Sequence, residues 1–289
     1  YCINRTLRQR YCQGTYLRRR SVDNVLRELK NVIERFPRIK GIHFFDDSFF
    51  SNGLKYLRTF AEAYKTTIDR PFYCQGSPES ITSETLSLLI DAGLVFCEMG
   101  IQTGSERIAR LYRRTSTNEQ IMNGITTIDA FRNRLLKPHY HVIVDNPWAT
   151  IEDDLMTLQL LLRIPHRFML CLASLTLFPE TELFQKAVSE GLIKDTHKDI
   201  YRKAFYKPRP TYINLLITLS DNHCIPRSLL RLLASPALLK LFHHPPFCLP
   251  RLWSTLMSLD KSFRYLLKGI ESIRYGNLWR LTQFLRKIR

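Results

Sequence analysis

The sequence predicts an α/β fold in which a parallel sheet is covered by helices. Three observations lead there. Short apolar runs rich in aromatic and β-branched residues alternate with helical stripes from about Ser21 to Gly191. The runs are apolar on both faces, as strands covered on both sides must be. Each is followed by a helix rather than a hairpin turn. Alternation of this kind leaves a closed barrel and an open doubly wound sheet equally open. In either, the polar residues just after the strands line one rim, where ligands bind.

Taken in order, Val22, Leu26, Leu29, Ile33 and Phe36 recur at spacings of three and four, a helical stripe that Pro37 ends. Gly41 to Phe45 reads as a strand broken by Asp46-Asp47. Leu54, Leu57, Phe60, Ala61 and Tyr64 form the next stripe, and Phe72-Tyr73-Cys74 the next strand. Thr82 is placed to cap a helix that Gly93 stops. Leu94 to Met99 is a strand closed by Gly100. Helices follow from Ser105 and from Thr117, the latter spaced with Gln120 as a capping box. His139–Val144 is a strand. Thr150 opens a helix with Glu152, Asp153 and Asp154 at its positive end. Phe168–Leu175 and a helix over Thr181–Gly191 complete five strand–helix units. The predicted rim is then Asp46, Asp47, Gln75, Gln102, Asp145 and Asn146.

Beyond residue 195 the rhythm changes. Seven prolines from Pro208 to Pro250 punctuate short Leu-rich basic stretches, with amphipathic helices expected at Leu229–Leu233 and Leu278–Ile288. We read residues 1–195 as one domain and 196–289 as a mostly helical appendage. Its apolar faces suit packing within the fold or, as a sharper reading, an anionic membrane surface.

The 289 residues are 45% hydrophobic and 24% charged, which excludes collagen, coiled coil, global disorder and a disulfide miniprotein. No run approaches the roughly 18–20 uncharged apolar residues that a membrane-spanning helix needs. The net charge of +17 is uneven: residues 1–20 carry six Arg and no acid, and 196–289 carry +13, so the middle is nearly neutral. Such flanks suit nucleic acid, an anionic surface, an acidic partner or simple solvation. Seven cysteines in no tight pairs point to a reducing, cytoplasmic setting, with Cys74, Cys97 and Cys171 expected as buried small residues. The chain opens on Tyr1 with no signal peptide, and its start reads as a cut.

Four segments together resemble the radical S-adenosylmethionine (SAM) superfamily, most closely its cobalamin-binding-type members. Tyr1-Cys2-Ile3-Asn4 matches the end of a Cys-x3-Cys-x2-Cys loop with an aromatic before its last Cys. Ile42 to Phe49 resembles the second strand and its polar tip. Leu88 to Gly93, followed by Met99-Gly100-Ile101-Gln102-Thr103-Gly104-Ser105-Glu106, resembles the fourth strand and its turn. Val142 to Asp154, with Leu177 to Phe184, resembles the last two strands and their loops.

The resemblance covers about residues 1–193 and implies a partial six-stranded (β/α) barrel whose first strand precedes Tyr1. It implies a 4Fe-4S cluster held in part by Cys2, with Tyr1 packing on the cofactor. It also implies SAM contacts at Asp46 or Asp47 for the amine and Gln102 for the ribose region. Gln75 and Asn146 join them by rim position, and Arg107 is a candidate for the SAM carboxylate. An electron donor such as flavodoxin or ferredoxin follows from the same resemblance, as does cobalamin bound by an upstream domain. Two of the three cluster cysteines are missing, so the 289-residue piece alone is expected to be inactive.

Two turns depart from the family pattern by losing a glycine: Asp145-Asn146-Pro147-Trp148-Ala149-Thr150 and Pro179-Glu180-Thr181. The residues also allow other functions. The Asp46-Asp47 pair could bind Mg²⁺, though no third ligand is apparent. A barrel remnant could bind RNA through its basic flanks, a reading that family relatives that modify tRNA make worth carrying. The substrate, a small molecule or RNA, is not legible.

Overall fold

A computed structural model describes residues 2–11, 14–15, 18–165, 168–243 and 247–274. Tyr1, Cys12 and the expected helix at Leu278–Ile288 lie outside the described residues. The chain divides into two compact units, Tyr1–Pro208 and Arg209–Arg289.

The first unit is a curled half-barrel of five parallel strands: β1 (Ile42–His43), β2 (Phe72–Gly76), β3 (Leu94–Gln102), β4 (His139–Val144) and β5 (Met169–Ser174). Spatial order equals chain order, so each strand pairs with its sequence neighbour. Between them run α3 (Leu54–Thr67), α4 (Ser83–Asp91), α5 (Glu106–Leu111), α6 (Asn118–Ala130) and α7 (Ile151–Leu161). Ahead of β1 lie α1 (Asn4–Tyr11) and α2 (Val22–Arg35), and α8 (Glu182–Ser189) follows β5.

Burial alternates along the strands. Phe72, Cys74, Cys97, Met99, Ile101, Tyr140, Val142 and Val144 are essentially inaccessible and form the helix-covered convex face. Their neighbours in sequence are half-buried and face the concavity. Beside β1 the convex core is aromatic: Phe44 lies 4.9 Å from Phe49, 5.5 Å from Phe60 and 5.7 Å from Phe72 between ring centroids. Contacts of this kind contribute beyond the buried area. The helices begin as their sequences dictate, with Thr82, Thr117 and Thr150 each closing a reciprocal capping box.

Three local expectations need correction. The β1 ladder is only Ile42–His43, although Phe44 N still donates to Tyr73 O at 2.9 Å. Phe36 caps α2 from an exposed position instead of extending its apolar stripe. Cys171 is half-buried on the concave side, unlike the fully buried Cys74 and Cys97. Its position follows from register, since it pairs with His141 rather than with a convex-facing neighbour.

The second unit is helical: α9 (Tyr212–Leu219), α10 (Arg227–Leu233), α11 (Pro236–His243) and α12 (Pro250–Arg274). The rings of Tyr212, Phe242 and Trp253 meet at 4.7–5.3 Å. Arg264 spans the nearly buried Asp221 and Asp260, at 2.5 and 2.6 Å. Among the described residues no helix is long and apolar enough to cross a membrane.

Candidate functional site

The C-terminal ends of the strands form the rim. At β1 the chain breaks from the sheet at Asp46 and Asp47, both exposed. Gln75, at the tip of β2, donates from Nε2 to the Asp46 carbonyl at 2.8 Å and so joins the first two strand ends. Asp47 accepts a hydrogen bond from Asn4 Nδ2, at the start of α1. That bond brings Cys2, two residues earlier and exposed, to the same rim.

Helix α1 was legible only as an Arg-rich stretch, yet it straddles the mouth. From Asn4 at the β1 side it reaches the loop after β5. There Thr6 donates to the Glu180 carbonyl at 2.9 Å, Arg10 pairs with Glu180, and Arg5 pairs with Glu182 at 3.4 Å. Arg113 binds the same Glu182 at 2.7 Å. The helix buries no residue of its own. These charges are therefore spent within the molecule, as are Arg19 on the Ser51 and Asn52 carbonyls and Arg20 on Glu28.

Gln102 ends β3 with a φ of 65°, a left-handed conformation uncommon for a residue with a side chain. Its amide folds back over Gly100, whose absent Cβ would stand 2.6 Å from Gln102 Nε2. Gly104 is required two residues on, because a Cβ there would lie 2.7 Å from the Met156 carbonyl and 2.8 Å from Thr157 Cα. The turn is then pinned to α7, with Gly104 N donating to Thr157 Oγ1 at 2.9 Å.

Asp153 is the hub behind this turn, and its sequence context suggested only a helix-dipole residue. Its side chain is 7% exposed. It accepts from Ser105 Oγ at 2.5 Å, Thr150 N at 2.8 Å and Thr150 Oγ1 at 3.0 Å, and it pairs with Arg107. Burial alone would raise its pKa. Hydrogen bonds from Arg107, Ser105 and Thr150 outweigh that and hold the carboxyl well below the usual range. Arg107 also donates to the Trp148 carbonyl at 2.7 Å. It joins the β3 turn to the β4–α7 loop, the protein partner that a cofactor carboxylate would have to displace.

Asn146 departs from its expected place among cofactor contacts. It is 7% exposed, donates from Nδ2 to Tyr112 Oη at 3.0 Å, and accepts from Trp148 N at 2.9 Å. Such an Asx turn spends its amide on the fold. Two of the lost glycines leave their backbone behind: Asp145 keeps a φ of 61° and Glu180 a φ of 69°. Asp is one of the residues that tolerates this region best, whereas Glu180 is held there by its ties to α1.

A group that the sequence did not single out lies deeper on the concave face. Glu98 of β3 stands opposite His139 of β4 in register, two residues from the Gly100–His141 pair. His141 Nε2 lies 2.9 Å from one Glu98 oxygen and His139 Nδ1 3.5 Å from the other. Hydrogen bonds from the two imidazoles hold the Glu98 carboxyl well below the usual carboxylate range, against the opposing effect of burial. The available signal was the alternation itself, which puts 98, 139 and 141 on one face once register is known.

As for a cluster, Cys2 has the chemistry and exposure of a thiolate ligand. Cys74 and Cys97 are buried on the convex face, where desolvation raises their thiol pKa values, that of Cys97 to about 12. Among the described residues no group of three His, Cys, Asp or Glu side chains could hold a metal ion. The described chain thus fits one corner of a cluster and does not complete it.

A curled parallel half-barrel with its polar side chains at the C-terminal ends of the strands belongs to the TIM-like α/β class, which binds ligands at that rim. The Radical SAM superfamily model matches residues 1–148, and the chain belongs to that family, whose members are enzymes that use a 4Fe-4S cluster and SAM. No curated protein matches the chain. Among solved structures, the cobalamin-dependent SAM radical enzyme OxsB with aqua-cobalamin bound is similar in fold. It is 13% identical with a TM-score of 0.55, over 92% of this chain and 54% of that one. The radical SAM methyltransferase TsrM from Kitasatospora setae is 14% identical with a TM-score of 0.49, over 60% of this chain and 34% of that one. Coproporphyrinogen III oxidase (HemN) from Escherichia coli is 16% identical with a TM-score of 0.47, over 62% and 43%. The chain therefore spans about a third to a half of the length of these proteins.

Proposed function

We propose that this chain is the SAM-binding part of a radical SAM enzyme. In this reading Cys2 is one thiolate ligand of a 4Fe-4S cluster at the rim. The Asp46 or Asp47 carboxylate takes the SAM amine, and Gln102 takes the ribose region. When bound, the cluster supplies the electron for reductive cleavage of SAM, delivered by a flavodoxin- or ferredoxin-type donor. Gln75 positions the Asp46 backbone, and Arg107 with Asp153 keeps the turn after β3 in place. Asn146 is reassigned to holding the β4 loop.

The observation that carries this reading is the hydrogen bond from Asn4 to Asp47, which seats the Cys2 end of α1 against the tip expected to bind the SAM amine. The OxsB likeness brings cobalamin into consideration. A cobalamin-dependent methyl transfer or carbon-skeleton change is the finer reading we carry forward, with cobalamin on another domain. On the RNA alternative, Arg5, Arg10, Arg19 and Arg20 of the first basic flank have partners within the chain, and the second flank stays available to it. The magnesium alternative loses support because no third ligand joins Asp46 and Asp47 among the described residues.

The test is anaerobic reconstitution of the natural full-length protein with iron and sulfide, followed by reduction in the presence of SAM. The expected result is four irons per chain and release of 5′-deoxyadenosine or a methylated product. The Cys2→Ala variant should lose both. Iron content unchanged by Cys2→Ala would overturn the assignment.

A further inference from the structure

The concave face carries a continuous row of rings that the rim residues do not explain. Phe45 lies 3.8 Å from His43, His43 5.2 Å from Tyr73, Tyr73 5.9 Å from Phe96, and Phe96 4.4 Å from His139, all between centroids. The row crosses four strands and ends at Glu98 and His141. Phe45 is 80% exposed, an unusual position for a phenylalanine in a folded unit. Apolar surface of this kind, beside convergent polar groups, is the ordinary composition of a small-molecule site.

The polar end has a defined protonation logic. The Glu98 carboxylate can only accept, so His141 must donate to it from Nε2. In the neutral ring that leaves Nδ1 as the lone-pair nitrogen. His141 Nδ1 has no hydrogen-bond partner among the described residues, and the side chain is 40% exposed. His139, packed edge-on against Phe96, braces the other carboxylate oxygen. A tie between two strands needs none of this exposure. A carboxylate that fixes one imidazole tautomer and turns its basic nitrogen to an open face is an acid–base arrangement.

We propose that His141, positioned by Glu98, hydrogen-bonds and deprotonates an O–H or N–H group on a flat unsaturated ring compound that lies against Tyr73 and Phe96. The proton passes to His141 Nδ1, and the electron pair of the broken bond stays on the substrate oxygen or nitrogen. The imidazolium so formed is balanced by the carboxylate at Nε2. This rests on the reading of the chain as part of a radical SAM enzyme, but the contact itself requires neither cluster nor SAM. Glu98 is a positioning residue, and His141 is the group that touches substrate.

The test uses 2-naphthol and its methyl ether, 2-methoxynaphthalene, titrated into the intact chain with binding read by ligand fluorescence. The ether keeps the flat rings and loses the donor. 2-Naphthol should bind about tenfold more tightly or better, one well-made hydrogen bond. His141→Phe should bind the ether as before and abolish the preference. Nitrogen-15 shifts should place the His141 proton on Nε2, and Glu98→Gln should mix the tautomers and shrink the preference. If His141→Phe loses the ether as well, His141→Leu, which offers no acceptor, decides, and it too should show no preference. Equal affinities in the parent, no binding of either compound, a preference that survives loss of the imidazole, or a parent His141 proton on Nδ1 each overturns the proposal. Failure of the full-length protein to cleave SAM would overturn the earlier reading and leave these affinities unchanged.

Discussion

Replacing Asp153 with Asn tests the reasoning about the rim most directly. The substitution keeps the shape but turns an acceptor of four donor groups into a mixed donor and acceptor. Two of those bonds, from Ser105 Oγ and Thr150 N, are short, the first buried and the second partly so. At about 1.5 kcal/mol each for a hydrogen bond to a charged group, they set a loss of about 3 kcal/mol. The Arg107 pair adds little, because the guanidinium is half in water and screened. The sign of the pH dependence follows from a native pKa held below the unfolded one. The contribution is complete above the unfolded value and lost as pH falls toward the native one. With an unfolded pKa of about 3.9, this carboxylate alone removes about 1.2 kcal/mol of stability between pH 5 and pH 3. Hydrogen exchange of the α5 and α7 amides measures both quantities in the first unit without involving the second. Asp153→Asn should lower their opening free energy by about 3 kcal/mol at pH 7 and flatten its decline in acid. A variant within about 0.5 kcal/mol of the parent, with the same acid slope, would refute the account of Asp153 as the hub.

Other substitutions separate close packing from looser contact. Gly104→Ala should cost roughly 2–4 kcal/mol, since the new methyl meets backbone of α7 that cannot step aside. Gly76→Ala, which meets the side chains of Phe50 and Ile81, should cost less; thermal denaturation of the two variants gives the order. Arg264→Met should destabilise the second unit by about 3–5 kcal/mol by removing the cation shared by two buried carboxylates, visible as early exchange of α9 amides with the first unit unaffected. Tyr64→Phe removes one hydrogen bond to the Arg70 carbonyl and should cost about 1 kcal/mol in urea denaturation.

The strand–helix order was legible because each strand is a local apolar run and each helix carries its own cap. Thr82, Thr117 and Thr150 needed no tertiary information to announce themselves. Choosing a half-barrel over an open sheet required the family resemblance, since curvature leaves no trace in alternation. The rim was partly legible: position after a strand found Gln75 and Gln102, but could not tell that Asn146 turns inward. Glu98, His139 and His141 were missed for a different reason. They acquire meaning only through the register of β3 against β4, a pairing between segments some forty residues apart. Asp153 was noticed and undervalued, because a charge near a helix start looks the same whether or not a serine from another loop meets it.

The mouth of the half-barrel is fastened by a helix that contributes no buried side chain, so its hold is made of surface ion pairs and a few hydrogen bonds. Such a fastening answers to the buffer more than to the core. At about 1 M salt the screening length shrinks to about 3 Å, and the clasp slackens while the aromatic interior is untouched. Preparations made in concentrated salt would therefore present a more open chamber than dilute ones, and the thiol of Cys2 would travel with the loosened end.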